Sequence, residues 1–367
     1  MKVKCSRPAL HEAIQLASSI VPARTPKPIL QCAKLAADSA TDKLTVSATD
    51  NEIAIRFTVS QVQIDQPGAM VIPAERLAAI LHESADETID LALEDATAEV
   101  RGQDAVFRIF GHDPDDFPVL EPADLTPAFA ISADQLKKMI HLTTFAAARE
   151  NTRYAINGVL WEHNNKKLRL VATDGRRLAL VDGEVKPAAK NASNTAIIPV
   201  KALNLLERML HDGDETVNVA FAPNQVVFST ERAEVSTSLV QGRFPKYSDV
   251  IPTTSDKKAQ LAADTFRHAV RRAALLTNEQ SRGVQLHFEN DTLHLSSSTP
   301  EAGDAEITMP IQYAAEPLTI GFNPQFLLDV LRVVAEPELV FELSDPAKPG
   351  LLRAGKDFSY VLMPVTV

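Results

Sequence analysis

The segment ATDGRRL, at residues 172–178, carries the side chains best suited to chemistry in this sequence. An aspartate followed by two arginines, Asp174, Arg176 and Arg177, could bind phosphate or support hydrolysis of a nucleotide. A counterpart, ATDNEIA, occurs at residues 48–54, and a turn with a positive φ angle explains the Asp-Gly pair without chemistry. We therefore predict structural roles for Asp50 and Asp174. A nucleotide-binding or hydrolytic enzyme built on Asp174, Arg176 and Arg177 is the alternative hypothesis.

Two other clusters could imitate metal sites. The segment HDPDD, at residues 112–116, contains a proline and lies near the end of a predicted domain, which favours a surface turn. His287 and His294 lie in the phrases LHF and LHL, which we interpret as the solvent face of a hairpin. The common nucleotide-binding, metalloprotease and serine-hydrolase motifs do not occur. We predict a protein without catalytic residues, metal ligands or a cofactor.

Composition indicates a soluble globular protein. Apolar residues make up 45% of the chain and charged residues 23%. The N-terminal segment has no unbroken apolar stretch behind its basic residues, so we expect a cytoplasmic protein without membrane partners. Cys5 and Cys32 have neither metal-ligand spacing nor a disulfide framework, and both are expected to be reduced structural thiols.

A threefold repeat with a period of about 125 residues organises the chain. In each repeat, an amphipathic helix pattern is followed by hairpin patterns, a second helix pattern and a closing strand pair. The first helices are centred near Leu10, Leu136 and Phe266. The second helices are centred near Leu77, Leu203 and Phe326.

This order predicts three similar α+β domains in tandem, each with two helices packed on a mostly antiparallel sheet. Linkers are expected near residues 120–127 and 251–256, where proline and acidic residues gather. The predicted domains are residues 1–121, 128–252 and 257–367.

Three similar domains joined by short linkers should curve as an arc, and copies with complementary ends would close head to tail into a ring. The strand VFRIF, which contains Phe107 and Ile109, would be an aggregation risk as an uncovered sheet edge. The segment RRAALLTNE places Leu275 and Leu276 at the end of a helix in domain three. We predict that these four residues form the interface between copies. The competing interpretation is that they are ordinary core and surface residues.

The net charge of −11 argues against a contact-driven nucleic-acid binder, which usually carries a basic excess. A closed ring holds DNA by topology and requires only a weakly basic lining. The first helices of domains two and three lean basic, with Lys137 and Lys138 in one and Arg267, Arg271 and Arg272 in the other. This asymmetry favours a layer of helices that faces phosphate, although a charge run can also be a solvated face.

Several ordered phrases carry a specific resemblance. They are ATDGRRLAL, NTRYAINGVL, QGRFPKYSDVIP, NEQSRGVQL, GFNPQFLLDVL and YVLMPV. On these phrases the chain resembles, over its full length, the beta subunit of bacterial DNA polymerase III, the sliding clamp. The resemblance implies a non-catalytic processivity factor that encircles duplex DNA as a head-to-tail homodimer. It also implies a clamp loader, a replicative polymerase and repair proteins as partners.

The resemblance implies a groove that binds short peptides with apolar anchors. Its residues map to Ile156, Thr173, Gly175, Arg176, Arg177, Leu178, Pro245, Val250, Val361, Leu362, Met363, Pro364 and Val365.

The DNA contacts that the resemblance implies would touch phosphates without reading sequence. They map to Arg24, Arg149, Glu150, Arg153, Tyr154, Lys201 and Arg282. The sequence departs from the family pattern at Glu150, where Gln is common, at Ala155, where an aromatic is frequent, and at Asp249, where Arg is frequent. Arg176 stands where His is also common. These departures bear on the DNA contacts and on partner preference.

Overall fold

The computed structural model describes residues 1–94, 96–120, 125–149, 155–189, 192–211, 213, 215–277, 283–300 and 302–366. Six α-helices occur in these ranges, two in each predicted domain, at the positions that the apolar periodicity predicts. They are α1 (Arg7–Ile20), α2 (Ala74–Glu83), α3 (Ala133–His141), α4 (Val200–Met209), α5 (Ala263–Ala273) and α6 (Pro324–Val333).

Local sequence explains where these helices begin. The Ser6 hydroxyl accepts a hydrogen bond from the Ala9 amide at the start of α1, and Asn323 Oδ1 accepts one from the Gln325 amide at the start of α6. Both helices have proline in their first turn, where a missing N–H leaves no hydrogen bond unmade. The buried face of α1 repeats at helical spacing, through Leu10, Ala13, Ile14 and Ala17.

The described residues form two compact units, which do not follow the predicted domain limits. One unit comprises Met1–Lys137, Lys186–Ala192 and Lys201–Leu239. The other comprises Lys138–Val185, Ser193–Val200 and Val240–Val367. Domain two is shared between the units because its strands pair with strands of its neighbours.

The first unit contains a five-stranded and a nine-stranded antiparallel sheet. The five-stranded sheet has the order β5-β1-β7-β8-β9, with β1 (Lys2–Ser6), β5 (Val62–Gln66), β7 (Thr88–Glu94), β8 (Thr97–Arg101) and β9 (Val106–Phe110). The nine-stranded sheet has the order β14-β10-β16-β17-β18-β4-β3-β2-β6, with β2 (Cys32–Asp38), β3 (Lys43–Thr49), β4 (Ile53–Val59), β6 (Gly68–Pro73), β10 (Phe129–Ser132), β14 (Lys186–Pro187), β16 (Thr216–Ala222), β17 (Gln225–Ser229) and β18 (Ala233–Ser238).

The second unit contains an eight-stranded and a four-stranded antiparallel sheet. The eight-stranded sheet has the order β15-β11-β12-β13-β26-β25-β24-β19, with β11 (Gly158–Asn164), β12 (Lys167–Thr173), β13 (Arg177–Glu184), β15 (Ser193–Pro199), β19 (Lys257–Ala262), β24 (Glu338–Leu343), β25 (Gly350–Ala354) and β26 (Phe358–Leu362). The four-stranded sheet has the order β22-β21-β20-β23, with β20 (Val284–Glu289), β21 (Thr292–Thr299), β22 (Gly303–Pro310) and β23 (Leu318–Phe322).

The predicted α+β class and the antiparallel pairing are confirmed, but the layering differs from the single sheet expected for each domain. In domain one, α1 packs on α2 and contacts β1 of one sheet and β3 and β4 of the other. The strands of the domain are therefore divided between two sheets, both of which contact α1. Sequence periodicity reports only which face of a strand is buried, and it does not distinguish one sheet from two.

Cys5 and Cys32 are free thiols and are both buried in domain one. Burial raises the pKa of Cys5 to about 12, with a smaller contribution from Asp90, and burial raises the pKa of Cys32 to about 11. In the described part of the chain, none of the helices has the length and hydropathy that crossing a membrane requires.

Candidate functional site

The turn between β12 and β13 is built by side chains that bind its own backbone. Asp174 Oδ1 accepts hydrogen bonds from the amides of Arg176 (2.9 Å) and Arg177 (3.1 Å). The Thr173 hydroxyl donates to the Arg177 carbonyl at 2.6 Å and accepts from the Gly175 amide at 3.1 Å. Gly175 has φ +86°, a conformation that costs little only without a Cβ atom. The Asp174 carboxylate is thus committed to the turn.

Domain one repeats this turn between β3 and β4. Asp50 Oδ1 accepts from the amides of Glu52 (3.0 Å) and Ile53 (2.7 Å), and the Thr49 hydroxyl donates to the Ile53 carbonyl at 2.8 Å. Asn51 occupies the positive-φ position, at φ +76°. The structural role predicted for Asp50 and Asp174 is what this geometry shows.

The Arg177 guanidinium is buried beneath the turn, and each of its three nitrogens donates a hydrogen bond. Nε donates to Asp174 at 2.9 Å, Nη1 donates to Asp329 of α6 at 2.6 Å, and Nη2 donates to the Phe145 carbonyl at 3.0 Å. The guanidinium carbon lies 5.6 Å from the ring centroid of Phe145 and 4.5 Å from that of Phe326. Two carboxylates and two aromatic rings therefore replace water around this charge.

The last strand supplies the opposite side of the same region. Strand β26 pairs with β13 in the register Leu178↔Val361. The Met363 amide then donates to the Arg176 carbonyl at 3.0 Å, and the Val365 amide donates to the Gly321 carbonyl at 2.9 Å. The chain after β26 is consequently held against the turn of domain two.

A cavity of about 190 Å³ lies between the turn, the segment at residues 245–250 and the end of β26. Its floor is apolar, since Ile156, Leu178 and Val361 are buried. Leu178 and Val361 also belong to the hydrophobic core below. Its lining consists of Ile156, Thr173, Gly175, Arg176, Arg177, Leu178, Pro245, Lys246, Tyr247, Val250, Val361 and Met363. We call this cavity the groove.

Ten of the thirteen residues expected in the groove line it, and Leu362, Pro364 and Val365 do not. The side chain of Leu362 is fully buried, because alternation along β26 turns it to the face opposite Val361. Pro364 and Val365 are half-buried and follow the tail toward Gly321.

Sequence reasoning missed Lys246 and Tyr247, which also line the groove. The Tyr247 hydroxyl donates to Glu162 Oε2 at 2.5 Å, and its ring lies edge-on to Phe244. Burial, followed by the hydrogen bond to Glu162, raises the pKa of Tyr247, so its hydroxyl remains a donor at neutral pH. Both residues lie in the segment QGRFPKYSDVIP, between Pro245 and Val250. Because Pro245 and Val250 were expected in the groove, this position could have predicted that Lys246 and Tyr247 line it as well.

The rim of the groove is cationic on one side. Lys246 Nζ lies 3.0 Å from Asp249 in an exposed ion pair, which contributes little to stability. Arg176 is exposed, and among the described residues it has no carboxylate within ion-pair distance. Val250 and Met363, which are 43% and 39% exposed, place apolar surface at the groove mouth.

The residues expected to contact DNA fall into two groups. Glu150, Arg153, Tyr154 and Arg282 lie outside the described residues. Arg24 and Arg149 are exposed. Lys201 Nζ is bonded to Asp50 at 2.5 Å and to the Ile20 carbonyl at the C-terminus of α1 at 3.0 Å. Asp50 therefore offsets much of the Lys201 charge, which the sequence did not indicate.

The residues expected at the interface between copies are unequally exposed. Leu275 is 78% exposed, Phe107 is 41% exposed and Leu276 is half-buried. Ile109 is only 5% exposed, because it lies opposite Ala98 in the core of its own sheet. Ile109 is thus a core residue rather than the surface anchor that we expected.

Comparison with known proteins agrees with this architecture. The sequence profiles of the DNA polymerase III beta subunit match residues 1–121 (N-terminal domain), 130–246 (central domain) and 248–366 (C-terminal domain). The beta sliding clamp of Caulobacter vibrioides is 35% identical, and that of Pseudomonas aeruginosa is 31% identical; each alignment covers 100% of both chains.

Solved structures give the same result. The DNA polymerase III beta subunit from Pseudomonas aeruginosa superposes with a TM-score of 0.92 at 31% identity, over 100% of both chains. A sliding clamp from Bartonella birtlesii bound to griselimycin superposes with a TM-score of 0.92 at 32% identity, again over 100% of both chains. Sliding clamp is the class of protein that the three-domain fold and the groove define. The chain belongs to the DNA polymerase III beta subunit family, and its function is that of a DNA polymerase processivity clamp.

Proposed function

We propose that this clamp tethers its protein partners through the groove, by binding short peptide segments with apolar anchors. The partners would be the replicative polymerase, repair proteins and the clamp loader. The observation that carries the proposal is an apolar floor with Val250 and Met363 exposed at the mouth. Binding of an extended or helical peptide depends on a few anchors that fill such pockets.

The two sides of the groove support this assignment in different ways. The turn at Asp174 and the buried Arg177 form a preorganised wall, which costs no ordering free energy on binding. Met363 supplies an unbranched and polarisable side chain that can adapt to different anchors. One fixed wall and one adaptable side chain suit a groove that accepts several partners.

The groove assignment is tested with a labelled hexapeptide carrying leucine and phenylalanine anchors, measured by fluorescence polarisation. We expect Met363→Ser and Val250→Ser each to weaken binding by at least about tenfold, since fully burying one such side chain contributes about 1.5 to 3 kcal/mol. Val119→Ser is the matched control, because Val119 is 83% exposed in domain one. Unchanged affinity in both groove variants would move the binding site elsewhere.

We propose that Arg24 and Arg149 are the strongest phosphate contacts of the described residues. Both are exposed, whereas Lys201 is paired with Asp50. Each phosphate contact that is lost lowers the salt dependence of DNA binding by about one unit of log–log slope. Arg24→Ala should reduce this slope more than Lys201→Ala. An equal reduction of the slope in both variants would show that Lys201 leaves Asp50 and contacts a phosphate when the clamp binds DNA.

Two strand edges support closure by a second copy. In the described chain, β4 of domain one pairs with β18 of domain two, and β13 of domain two pairs with β26 of domain three. The repeat makes β22 the counterpart of β4 and β13, and β9 the counterpart of β18 and β26. Both β9 and β22 lie at sheet edges. A head-to-tail dimer would pair β22 of one copy with β9 of the other, twice, and close a ring around DNA.

The repeat also predicts the register of that joint. Ile55 lies opposite Val235, and Ala179 lies opposite Tyr360. The equivalent positions are Ala305 in β22 and Phe107 in β9, so Ala305 should face Phe107 of the second copy. The 41% exposure of Phe107 agrees with a missing neighbour, since Val235 and Tyr360 are fully buried.

Light scattering tests the dimer. Leu275→Asp should yield monomers at micromolar concentration, because a carboxylate buried without a counter-charge costs several kcal/mol. Val119→Asp, which adds the same charge at another exposed apolar position, should remain dimeric. The ring itself predicts that loaded clamp is retained on circular DNA and slides off linear DNA. Equal loss from both would contradict topological tethering.

A further inference from the structure

Polar side chains join the first helices of domains one and two to the loop after the second helix of the following domain. Glu12 of α1 accepts from His211 Nε2 at 2.6 Å, and His211 follows α4. Lys138 of α3 donates to Glu336 Oε1 at 3.3 Å, and Glu336 follows α6. The two contacts use loop residues that lie three positions apart in the repeat, because the residue equivalent to Glu336 is Asp214 and not His211.

The residues on the first helices are equivalent by position. Glu12 lies six residues after Ser6, the last residue of β1, and Lys138 lies six residues after Ser132, the last residue of β10. Six residues after Ala262, the last residue of β19, is His268 of α5. His268 is exposed, as Lys138 largely is.

An equivalent backbone hydrogen bond in domains one and three identifies matching positions in the loops after the second helices. The Arg7 amide donates to the Glu87 carbonyl, and the Ala263 amide donates to the Pro337 carbonyl, both at 2.8 Å. Asp86 and Glu336 immediately precede these two acceptors. The residue at this position in domain two, Asp214, lies outside the described residues.

Local packing supports the equivalence of Asp86 and Glu336. Both carboxylates are half-buried, and each lies beside a glycine of its domain's closing hairpin. Asp86 lies beside Gly102 in domain one, and Glu336 lies beside Gly355 in domain three. Asp86 Oδ1 accepts from the Gln103 amide at 3.1 Å, which fixes the carboxylate at the surface of its loop. Asp86 therefore occupies the same place in its loop as Glu336 does. Arg7 of α1 donates to the Asp86 carbonyl oxygen at 2.8 Å. Among the described residues, the Asp86 carboxylate has no ion pair with a first helix, in contrast to Glu336.

We propose that His268 of one copy pairs with Asp86 of a second copy, at positions equivalent to those of Lys138 and Glu336. The proposal rests on the head-to-tail dimer proposed above, and it adds a residue pair that helps to align α5 with domain one of the second copy. The pair would lie beside the β22–β9 joint, as the Lys138–Glu336 pair belongs to the junction formed by β13 and β26. Exposed pairs of this kind contribute up to about 1 kcal/mol, so they tune dimer affinity more than they create it.

The test is the dimer dissociation constant at pH 7, measured by analytical ultracentrifugation of the full chain. His268→Lys copies the Lys138–Glu336 pair and should tighten the dimer by about twofold to fivefold. A gain in affinity cannot result from misfolding. His268→Glu should weaken the dimer by about threefold to tenfold, and adding Asp86→Lys to that variant should restore most of the loss.

Asp65→Lys is the matched control, because Asp65 is exposed on β5, at the edge of the five-stranded sheet opposite β9. It changes the net charge by the same amount as Asp86→Lys and should leave the dissociation constant within about twofold. A dimeric wild type whose affinity does not respond to His268→Lys or His268→Glu would overturn the pair and leave the dimer standing. A wild type that is monomeric at every concentration would instead overturn the dimer.

Discussion

The same turn has acquired different surroundings in domains one and two. In both domains, a threonine hydroxyl and the following aspartate carboxylate accept hydrogen bonds from the backbone amides of a turn with a positive φ angle. In domain one, the free oxygen of Asp50 bonds Lys201, a half-exposed residue of domain two. In domain two, the free oxygen of Asp174 bonds Arg177, which is buried and also reaches Asp329. Asn51 and Gly175 hold the positive φ in the two turns.

This difference shows how a repeated fold gains a binding site at one junction only. The position of Arg177 is occupied in domain one by Ile53, which is buried. A charged residue at that position requires buried counter-charges, and domain three supplies one through α6. The backbone of the turn is common to both domains, whereas the groove depends on Arg177 of domain two and on Val361 and Met363 of domain three.

The largest effect is expected from Arg177→Ala. Removing the guanidinium leaves Asp174 and Asp329 partly buried without a counter-charge, which should lower the free energy of unfolding by about 3 kcal/mol. Trp161, the sole tryptophan, is fully buried in β11 and reports urea unfolding of this region by its fluorescence. Arg176→Ala removes an exposed arginine and should cost less than about 0.5 kcal/mol. Equal losses would contradict the role of Arg177 as a buried cross-domain contact.

A smaller effect separates the two aspartates. Asp174→Ala should lower the free energy of unfolding by about 2 kcal/mol, since two amides and a buried arginine lose their acceptor. Asp50→Ala should cost about 1 kcal/mol, because Lys201 is half-exposed and water replaces its partner. Scanning calorimetry should therefore give the larger decrease in Tm for Asp174→Ala. The reverse order would mean that the Lys201 contact is the stronger one.

The positive-φ residue should behave alike in both turns. Gly175→Ala is expected to cost about 1 kcal/mol, from conformational strain alone, since a Cβ atom at Gly175 meets nothing within 4 Å. Gly175→Asn should cost less, because asparagine tolerates this region and Asn51 already occupies it. If alanine and asparagine proved equally costly, something other than φ would set the choice of glycine.

The smallest effect concerns pH. Burial lowers the pKa of His163 in β11, whereas the equivalent position in domain one is Ala37. Below about pH 6.5 the unfolded chain takes up a proton at His163 that the folded chain resists, so the free energy of unfolding should fall as pH decreases. His163→Phe should reduce that slope between pH 7 and pH 5, in urea titrations followed by Trp161. Phe288 holds the equivalent position in domain three, so the substitution has a precedent in the fold.

Much of the fold could be predicted from the sequence because its information is local. Apolar spacing near Leu10, Leu136 and Phe266 placed the first helices, and the repeated ATD phrase placed the two turns. The family assignment and the α+β class are confirmed on the same basis.

The remaining features depend on contacts between distant residues. Arg177 and Asp329 are separated by 152 positions, and no local pattern marks them as partners. Tyr247 lines the groove because Glu162, 85 positions away, holds its hydroxyl. Side chains alternate between the two faces of β26, so Leu362 cannot face the groove if Val361 does. The sequence alone did not show which of the two faces the groove.

The buried thiols have a practical consequence for chemical labelling. With pKa values of about 12 and about 11, against an ordinary value of 9.0, Cys5 and Cys32 carry at least about a hundredfold less thiolate at neutral pH than an unperturbed cysteine. A single cysteine introduced on the surface would then react with a maleimide dye far faster than either native thiol. Fluorophores could be attached at chosen positions without first removing the native cysteines.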